Sequence, residues 1–388
     1  MIKEKIEIII KFNILSTLNF FIPKKANKVA FLSHPDFADN SKAFYEFISK
    51  NTDLKCIWFV SDKKMYKILK DKGINTFMKN DLKGLFEFAK CKYVVSSNFE
   101  NLSLKSKNQI HIALSHGMPL KKIGFLLDGY SLSNKKALKK IDYTIATSPF
   151  FQDIICRAFN LEKEKVLVSG QPRNDYLFNS NKIEDLNTLL NVDIDNYEKV
   201  IVYTPTFRKH SLRNDGELSM NNIINLNQYN EDELNKYLSD NNYLLITKLH
   251  REEKTFINSK EYSNIKMLDS DELTYSKITL NEILNICDLL ITDYSSVYFD
   301  YLLLDKPLLF INTDEQQYSN TRGFIIDDLD LYRPGPKVST LNELSKECSL
   351  LLNNSNYFKK ERDYINSICN SYIDDQSCKR IFDIIFKK

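Results

Sequence analysis

Four things are missing from this sequence. The seven cysteines (56, 91, 156, 287, 348, 369 and 378) show no CxxC spacing and are odd in number, so neither a disulfide framework nor a zinc knuckle is indicated. A reducing cytosol is the simplest setting. Charge of one sign is not in excess: 54 Lys and Arg against 51 Asp and Glu leave +3, too little for a dedicated nucleic-acid binder unless the charge clusters locally. No apolar run is long enough for a bilayer, since the uncharged stretch from 12 to 22 has 11 residues where a spanning helix needs about 20. Internal repeats and low-complexity segments are also absent.

The N-terminus does not read as a signal peptide, because Glu4 and Glu7 interrupt its basic residues and no small-residue cleavage site follows. Lys3, Glu7 and Lys11 lie along one helical line, with Ile2, Ile6, Ile9 and Ile10 on the other side. Residues 1–25 therefore read as an amphipathic segment, packed on the protein's own core or lying at a membrane interface.

What is present is a long run of alternating elements. At 388 residues, with 43% hydrophobic and 27% charged side chains, the chain fits a soluble protein of two domains. Short β-rich segments recur at 28–33, 55–61, 92–97, 109–115, 142–148 and 165–170, mostly separated by lysine-rich amphipathic stretches. After a polar passage from 179 to 198 the pattern restarts at 199–206, 243–250, 264–269, 288–293 and 307–312. Such alternation predicts parallel sheets covered on both faces. The expected fold is α/β, with two doubly wound Rossmann-like domains (26–185 and 186–372) facing a central cleft, as in GT-B transferases. A last helix in 373–388 would pack back on the first domain.

Ligands of such sheets bind beyond the C-terminal strand ends, so residues there carry the functional reading. His116, in "ALSHGMPLKK", follows one strand and His250, in "ITKLHRE", closes another. Each is a structural hydrogen-bonding residue on its own, but matching positions in the two domains suit proton transfer near neutral pH. Gly117 would let substrate approach the backbone closely. His34 ends a third strand and ranks behind them, while His111 and His210 receive no role.

Asp293 closes the strand "DLLITD", and a helix is expected from about Ser295, so Ser295 and Ser296 would offer donors to a diphosphate. The plain alternative is a helix cap. "YTPTFRKH" presents Thr206, Arg208 and Lys209 after another strand, and the Arg208 guanidinium is suited to clamping phosphate oxygens.

Taken in order, "SHGMPLKKIG", "SGQPRNDYLF", "VYTPTFR", "TKLH", "ITDYSSVYFDYLLLDKP" and "RGFIIDDLDLYRPGP" resemble the motifs of the CDP-glycerol glycerophosphotransferase family of teichoic acid primases and polymerases. The likeness runs from about Val29 to Lys337. Ser115 stands where the family usually has Trp, Met118 replaces Thr, Phe207 replaces Trp, Gln171 replaces an aromatic, and Arg251 follows His250 where Pro is common. These departures bear on acceptor and alditol selectivity.

The resemblance implies transfer of an alditol phosphate, most simply glycerol phosphate, from a CDP-linked donor to a hydroxyl of a lipid-linked glycan, with release of CMP. His116 would be the general base, and His250 would contact the donor phosphates or assist the leaving group. Thr206, Arg208, Asp293, Ser295 and Ser296 would hold the donor. His34, Gly117, Lys121, Arg173, Asn174 and Asp175 would line the acceptor side, with Asp175 also a candidate cap for the segment after it. No metal site is expected, because "DID" (193–195) and "DLD" (328–330) lie outside the strand-end loops; divalent ions could still screen the donor. No tightly bound cofactor is implied.

Lys121, Lys122, Lys135, Lys136, Lys139 and Lys140 against Asp128 make a local basic cluster, either a solvated helix face or a surface for an anionic bilayer. The expected location is the cytoplasmic face of the cell membrane, held peripherally. A GT-B glycosyltransferase or nucleotide-sugar epimerase is the alternative reading, and a non-catalytic polymer or membrane binder the second. The motifs do not choose between CDP-glycerol and CDP-ribitol, between single addition and polymerisation, or among oligomeric states.

Overall fold

The computed structural model describes residues 19–97, 105–127, 138–206, 222–248 and 262–387. The amphipathic stretch before residue 19, Lys135, Lys136, Arg208 and His250 lie outside them. The chain divides into two compact units: Met1–His116, Gly124–Asp175 and Asp374–Lys388 form the first, Gly117–Ile123 and Tyr176–Ile373 the second.

The first unit is built on seven strands: β1 (Lys25–Leu32), β2 (Lys55–Val60), β3 (Thr76–Met78), β4 (Cys91–Ser96), β5 (Ile110–Ala113), β6 (Tyr143–Ala146) and β7 (Val166–Val168). They run in the order β3-β2-β1-β4-β5-β6-β7, every pair parallel. Central strands of such a sheet are covered on both faces, and β1 accordingly buries four consecutive residues, Val29 to Leu32. Helix α1 (Asp39–Asn51) turns Phe44 and Ile48 inward, and Phe31 packs between Phe44 and Trp58. Each such aromatic contributes about 1.5–3 kcal/mol by leaving water. The order of strands reverses between β1 and β4, which sets the switch point where ligands of this fold bind.

The second unit has six parallel strands: β8 (Lys199–Tyr203), β9 (Tyr243–Thr247), β10 (Ile265–Met267), β11 (Leu289–Thr292), β12 (Leu308–Ile311) and β13 (Lys337–Val338). Their order is β10-β9-β8-β11-β12-β13, with the switch point between β8 and β11. Ile201, Leu245, Leu289, Ile291, Leu309 and Ile311 pack with Leu341, Leu344 and Cys348 of the helix Leu341–Asn353. That helix starts with a capping box, Thr340 and Glu343 satisfying each other's backbone amides.

Alternation predicts eleven strands, and thirteen form among the described residues. The two extra ones, β3 and β13, are edge strands of three and two residues, too short to establish a period. The polar passage 179–198 holds a helix, Ile183–Leu190, whose Leu186 and Leu190 are buried while its acidic and amide residues account for the polar composition. The last helix, Ser377–Phe386, belongs to the first unit. Asp175 caps it, accepting bonds from the Ser377 and Cys378 amides at 2.9 Å each, so its capping role serves a helix some two hundred residues away rather than the segment that follows. Among the described residues no helix is long and apolar enough to cross a membrane.

Candidate active site

Beyond β5 the chain passes through two unusual backbone conformations. Ser115 has φ +58° and Gly117 has φ +138°, so His116 stands between two positive-φ residues. Asp39, the first residue of α1, has φ +58° as well. Only glycine enters such regions without steric cost, and Asp tolerates them better than most side chains. These bends are held by a buried amide. Asn40 Nδ2 donates to the carbonyls of Leu114 and Ser115 at 3.0 Å each, and Asn40 Oδ1 accepts from the Arg173 backbone amide at 3.0 Å. One side chain thus ties the start of α1 to the exit of β5 and to the Pro172–Asp175 turn after β7.

On that support three charged or titratable groups meet. Arg173 Nη1 donates to Asp39 Oδ1 at 2.8 Å and to the His116 carbonyl at 2.7 Å, and the other Asp39 oxygen, Oδ2, is hydrogen-bonded to His116 Nδ1. The side chains of Asp39 and Arg173 are 12% and 15% exposed, while that of His116 is 46% exposed. Burial pushes the Asp39 carboxyl upward, but the Arg173 charge and the bond and charge of His116 outweigh it and hold it well below the usual carboxylate range. The result is a fixed anion beside a reachable imidazole.

The equivalent region of the second unit is built differently. Asp293 follows β11, Thr204 and Thr206 follow β8, and Asp293 Oδ1 and Oδ2 accept from the Thr206 amide at 2.8 and 3.0 Å. Asp293 Oδ1 also accepts from the amides of Tyr294 (2.5 Å) and Ser295 (3.1 Å). Its carboxylate is fully buried and braces the two loops of the switch point. Ser295 and Ser296 are partly exposed, and the helix that follows, Val297–Tyr301, is a single short turn. Arg333, fully buried, lies beneath this loop with its guanidinium 5.6 Å from the Tyr294 ring and bonds to Asn312, Glu315 and Asp330.

The remaining expected residues separate. The segment after His116 belongs to the second unit: Lys121 pairs with Phe324 as an isolated antiparallel bridge, and Ile325 N donates to the Leu120 carbonyl at 3.0 Å. The "HGMPLKK" and "RGF" elements, two hundred residues apart, therefore meet. The basic cluster is divided, Lys121 and Lys122 lying in the second unit and Lys139 and Lys140 in the first. His34 is exposed two residues beyond β1, Asn174 is buried in its turn, and Asp175 is engaged by the last helix. His111 is fully buried with Nε2 on Ser96 Oγ at 2.8 Å. The "DID" and "DLD" aspartates serve local turns: Asp193 accepts from the Asp195 amide, Asp328 from the Leu331 amide, and Asp330 from Arg333.

Sequence reasoning missed Asp39 and Asn40. They follow "VAFLSHPDFA" at the same strand end that drew attention to His34, and an acidic residue opening a helix at a switch point was the available signal.

The family described as CDP-Glycerol:Poly(glycerophosphate) glycerophosphotransferase matches residues 14–387. A teichoic acid glycerol-phosphate transferase of Staphylococcus aureus (strain NCTC 8325 / PS 47) is 29% identical over 412 residues, covering 100% of both chains. The solved structure of the wall teichoic acid polymerase TagF is 25% identical with a TM-score of 0.79, covering 99% of this chain and 95% of that one. A histidine variant of TagF soaked with CDPG gives 0.77 at 25% identity, over 94% and 89%. UDP-GlcNAc 2-epimerase from Neisseria meningitidis, at 13% identity and a TM-score of 0.54 over 93% and 100%, shares the fold alone.

Proposed function

The chain belongs to the CDP-glycerol:poly(glycerophosphate) glycerophosphotransferase family, and from that premise we propose that it transfers glycerol phosphate from CDP-glycerol to a hydroxyl of a lipid-linked glycan or growing teichoic-acid-type polymer, releasing CMP. It is a GT-B-fold transferase. The observation that carries the reading is the His116 ring: it stands half exposed at a C-terminal strand end, with Nδ1 engaged and Nε2 left for a substrate.

In the proposed step the acceptor hydroxyl gives its proton to His116 Nε2 as its oxygen bonds to the glycerol-bearing phosphorus. The bond from that phosphorus to the bridging oxygen breaks, and CMP leaves with the electron pair. Thr206, Ser295 and Ser296 would bind donor oxygens, together with Arg208 and His250. Asp293 would act beneath them by shaping both loops. Gly117 would admit the acceptor, since a backbone at φ +138° there has no Cβ to obstruct it. The enzyme would work at the cytoplasmic face of the membrane, with its lysines against anionic lipid.

The test is CMP release by purified protein from CDP-glycerol, CDP-ribitol and UDP-glucose with a lipid-linked disaccharide acceptor. Acceptor-dependent release from CDP-glycerol is expected, and His116→Ala should lower it by about 10²–10⁴-fold. Release from UDP-glucose alone would replace this reading with glycosyl transfer.

A further inference from the structure

Resting on that reading, we infer that Asp39 is the positioning residue for the base: its carboxylate fixes the His116 ring with hydrogen on Nδ1 and Nε2 free, and Arg173 holds the carboxylate in place. A histidine just past a strand end with a half-exposed ring is only partly held by packing, so its orientation depends on what grips Nδ1. The Asp39 carboxylate does so from a site where it is itself immobilised, by the Arg173 guanidinium on Oδ1 and by a backbone pinned through Asn40. Arg173 also ties the His116 carbonyl, so one guanidinium sets the main chain and, through Asp39, the ring. A neutral imidazole carries one N–H, and which nitrogen bears it follows from the partner of the other. An anion accepts and cannot donate, so the hydrogen goes to Nδ1 and the lone pair of Nε2 is presented to the acceptor hydroxyl.

The positive φ at Asp39 supports this. A residue in that conformation is there because its surroundings over-determine it, and such positions gather where a side chain must be aimed. Among the described residues, Arg173 and His116 are the charged or titratable side chains that bond to Asp39. The arrangement lies wholly within the first unit, so it is assembled before any substrate binds.

The variant Asp39→Asn keeps the shape and lacks the anion. In CMP-release assays kcat should fall about 100-fold, within the range a general base supplies, while KM for CDP-glycerol stays within about 2-fold. The acidic limb of the kcat profile should move to lower pH, because the imidazolium loses its neighbouring negative charge. Arg173→Lys, which cannot span both partners, should give a smaller loss of about 10-fold in the same direction. A merely structural role would lower the melting temperature without moving the limb. The second measurement needs no turnover: ¹⁵N NMR of histidine-labelled protein, with His116 assigned by its loss in His116→Gln, should show the Nδ1–H tautomer. An Nε2–H tautomer, or Asp39→Asn with unchanged kcat and limb, overturns the inference. If no CDP-alditol releases CMP, the donor reading fails and the ring measurement still decides this one.

Discussion

Each unit keeps an aspartate beside its switch point, and the two carboxylates are used in opposite ways. Asp293 gives its oxygens to the backbone amides of Thr206, Tyr294 and Ser295, so it fixes where two loops run. Asp39 gives its oxygens to two side chains, the Arg173 guanidinium and the His116 imidazole. A carboxylate satisfied by amides is architecture, because amides do not change state. One satisfied by an imidazole couples its position to a proton. The fold offers the same place twice, and the partner chemistry decides which becomes a working part.

The largest effect that would sharpen this contrast is Asp293→Ala. It strands three amides at the switch point, each worth about 1–3 kcal/mol when left unpaired. At roughly 2–4 °C per kcal/mol for a unit of this size, the melting transition should drop by about 6 °C or more. Asp39→Asn, which removes the charge but keeps an amide oxygen for Arg173, should lower the transition by less while its catalysis falls. Equal thermal losses in the two variants would erase the distinction between brace and positioning residue.

Acid should separate the units next. Burial, with the Lys105 charge adding to it, pushes His111 down to about 3. An unfolded histidine binds its proton near 6.5, so between those values the unfolded state holds a proton that the folded first unit refuses, and stability falls as pH drops below about 6.5. Asp39 acts lower still: its depressed folded value stabilises the first unit above about pH 4, and that contribution is lost as pH falls further. Hydrogen exchange followed from pH 7 to 4 should show β4 and β5 losing protection progressively, and His111→Gln should flatten the trend. Earlier loss in β8 and β11 would reverse the assignment of acid sensitivity.

The smallest effect concerns the lysines. Replacing Lys139 and Lys140 of the first unit by Glu, or Lys121 and Lys122 of the second, should each weaken binding to anionic vesicles, by up to about 1 kcal/mol per residue that lies near the surface. Co-sedimentation at low and high salt would show which unit carries the attraction; no change in either pair would remove the electrostatic part of the membrane proposal.

Much of this was legible in the chain and some was not, for reasons that particular residues make plain. Buried parallel strands such as "KVAFL" and "KVIVY" announce themselves as unbroken apolar runs, and His116 draws attention as a candidate because it stands just past one. β3 and β13 were lost to their shortness. Asp175 was read as a local cap because its true partner, the helix Ser377–Phe386, lies at the far end of the sequence. Asp39 was passed over because an aspartate in "PDFADN" looks like any turn residue, and nothing local records that Arg173 and His116 converge on it.

The sequence by itself determined the alternation of strands and helices, the two-unit organisation and the order of the family's motifs, since these rest on apolar periodicity and short-range pattern. Only the tertiary structure decided which polar residues meet. Hydrogen-bond partners such as Asn40 with Leu114 and Arg173, or Asp39 with His116, are separated by 74 to 133 positions, and their geometry exists only once parallel strands bring their ends to one edge of a sheet.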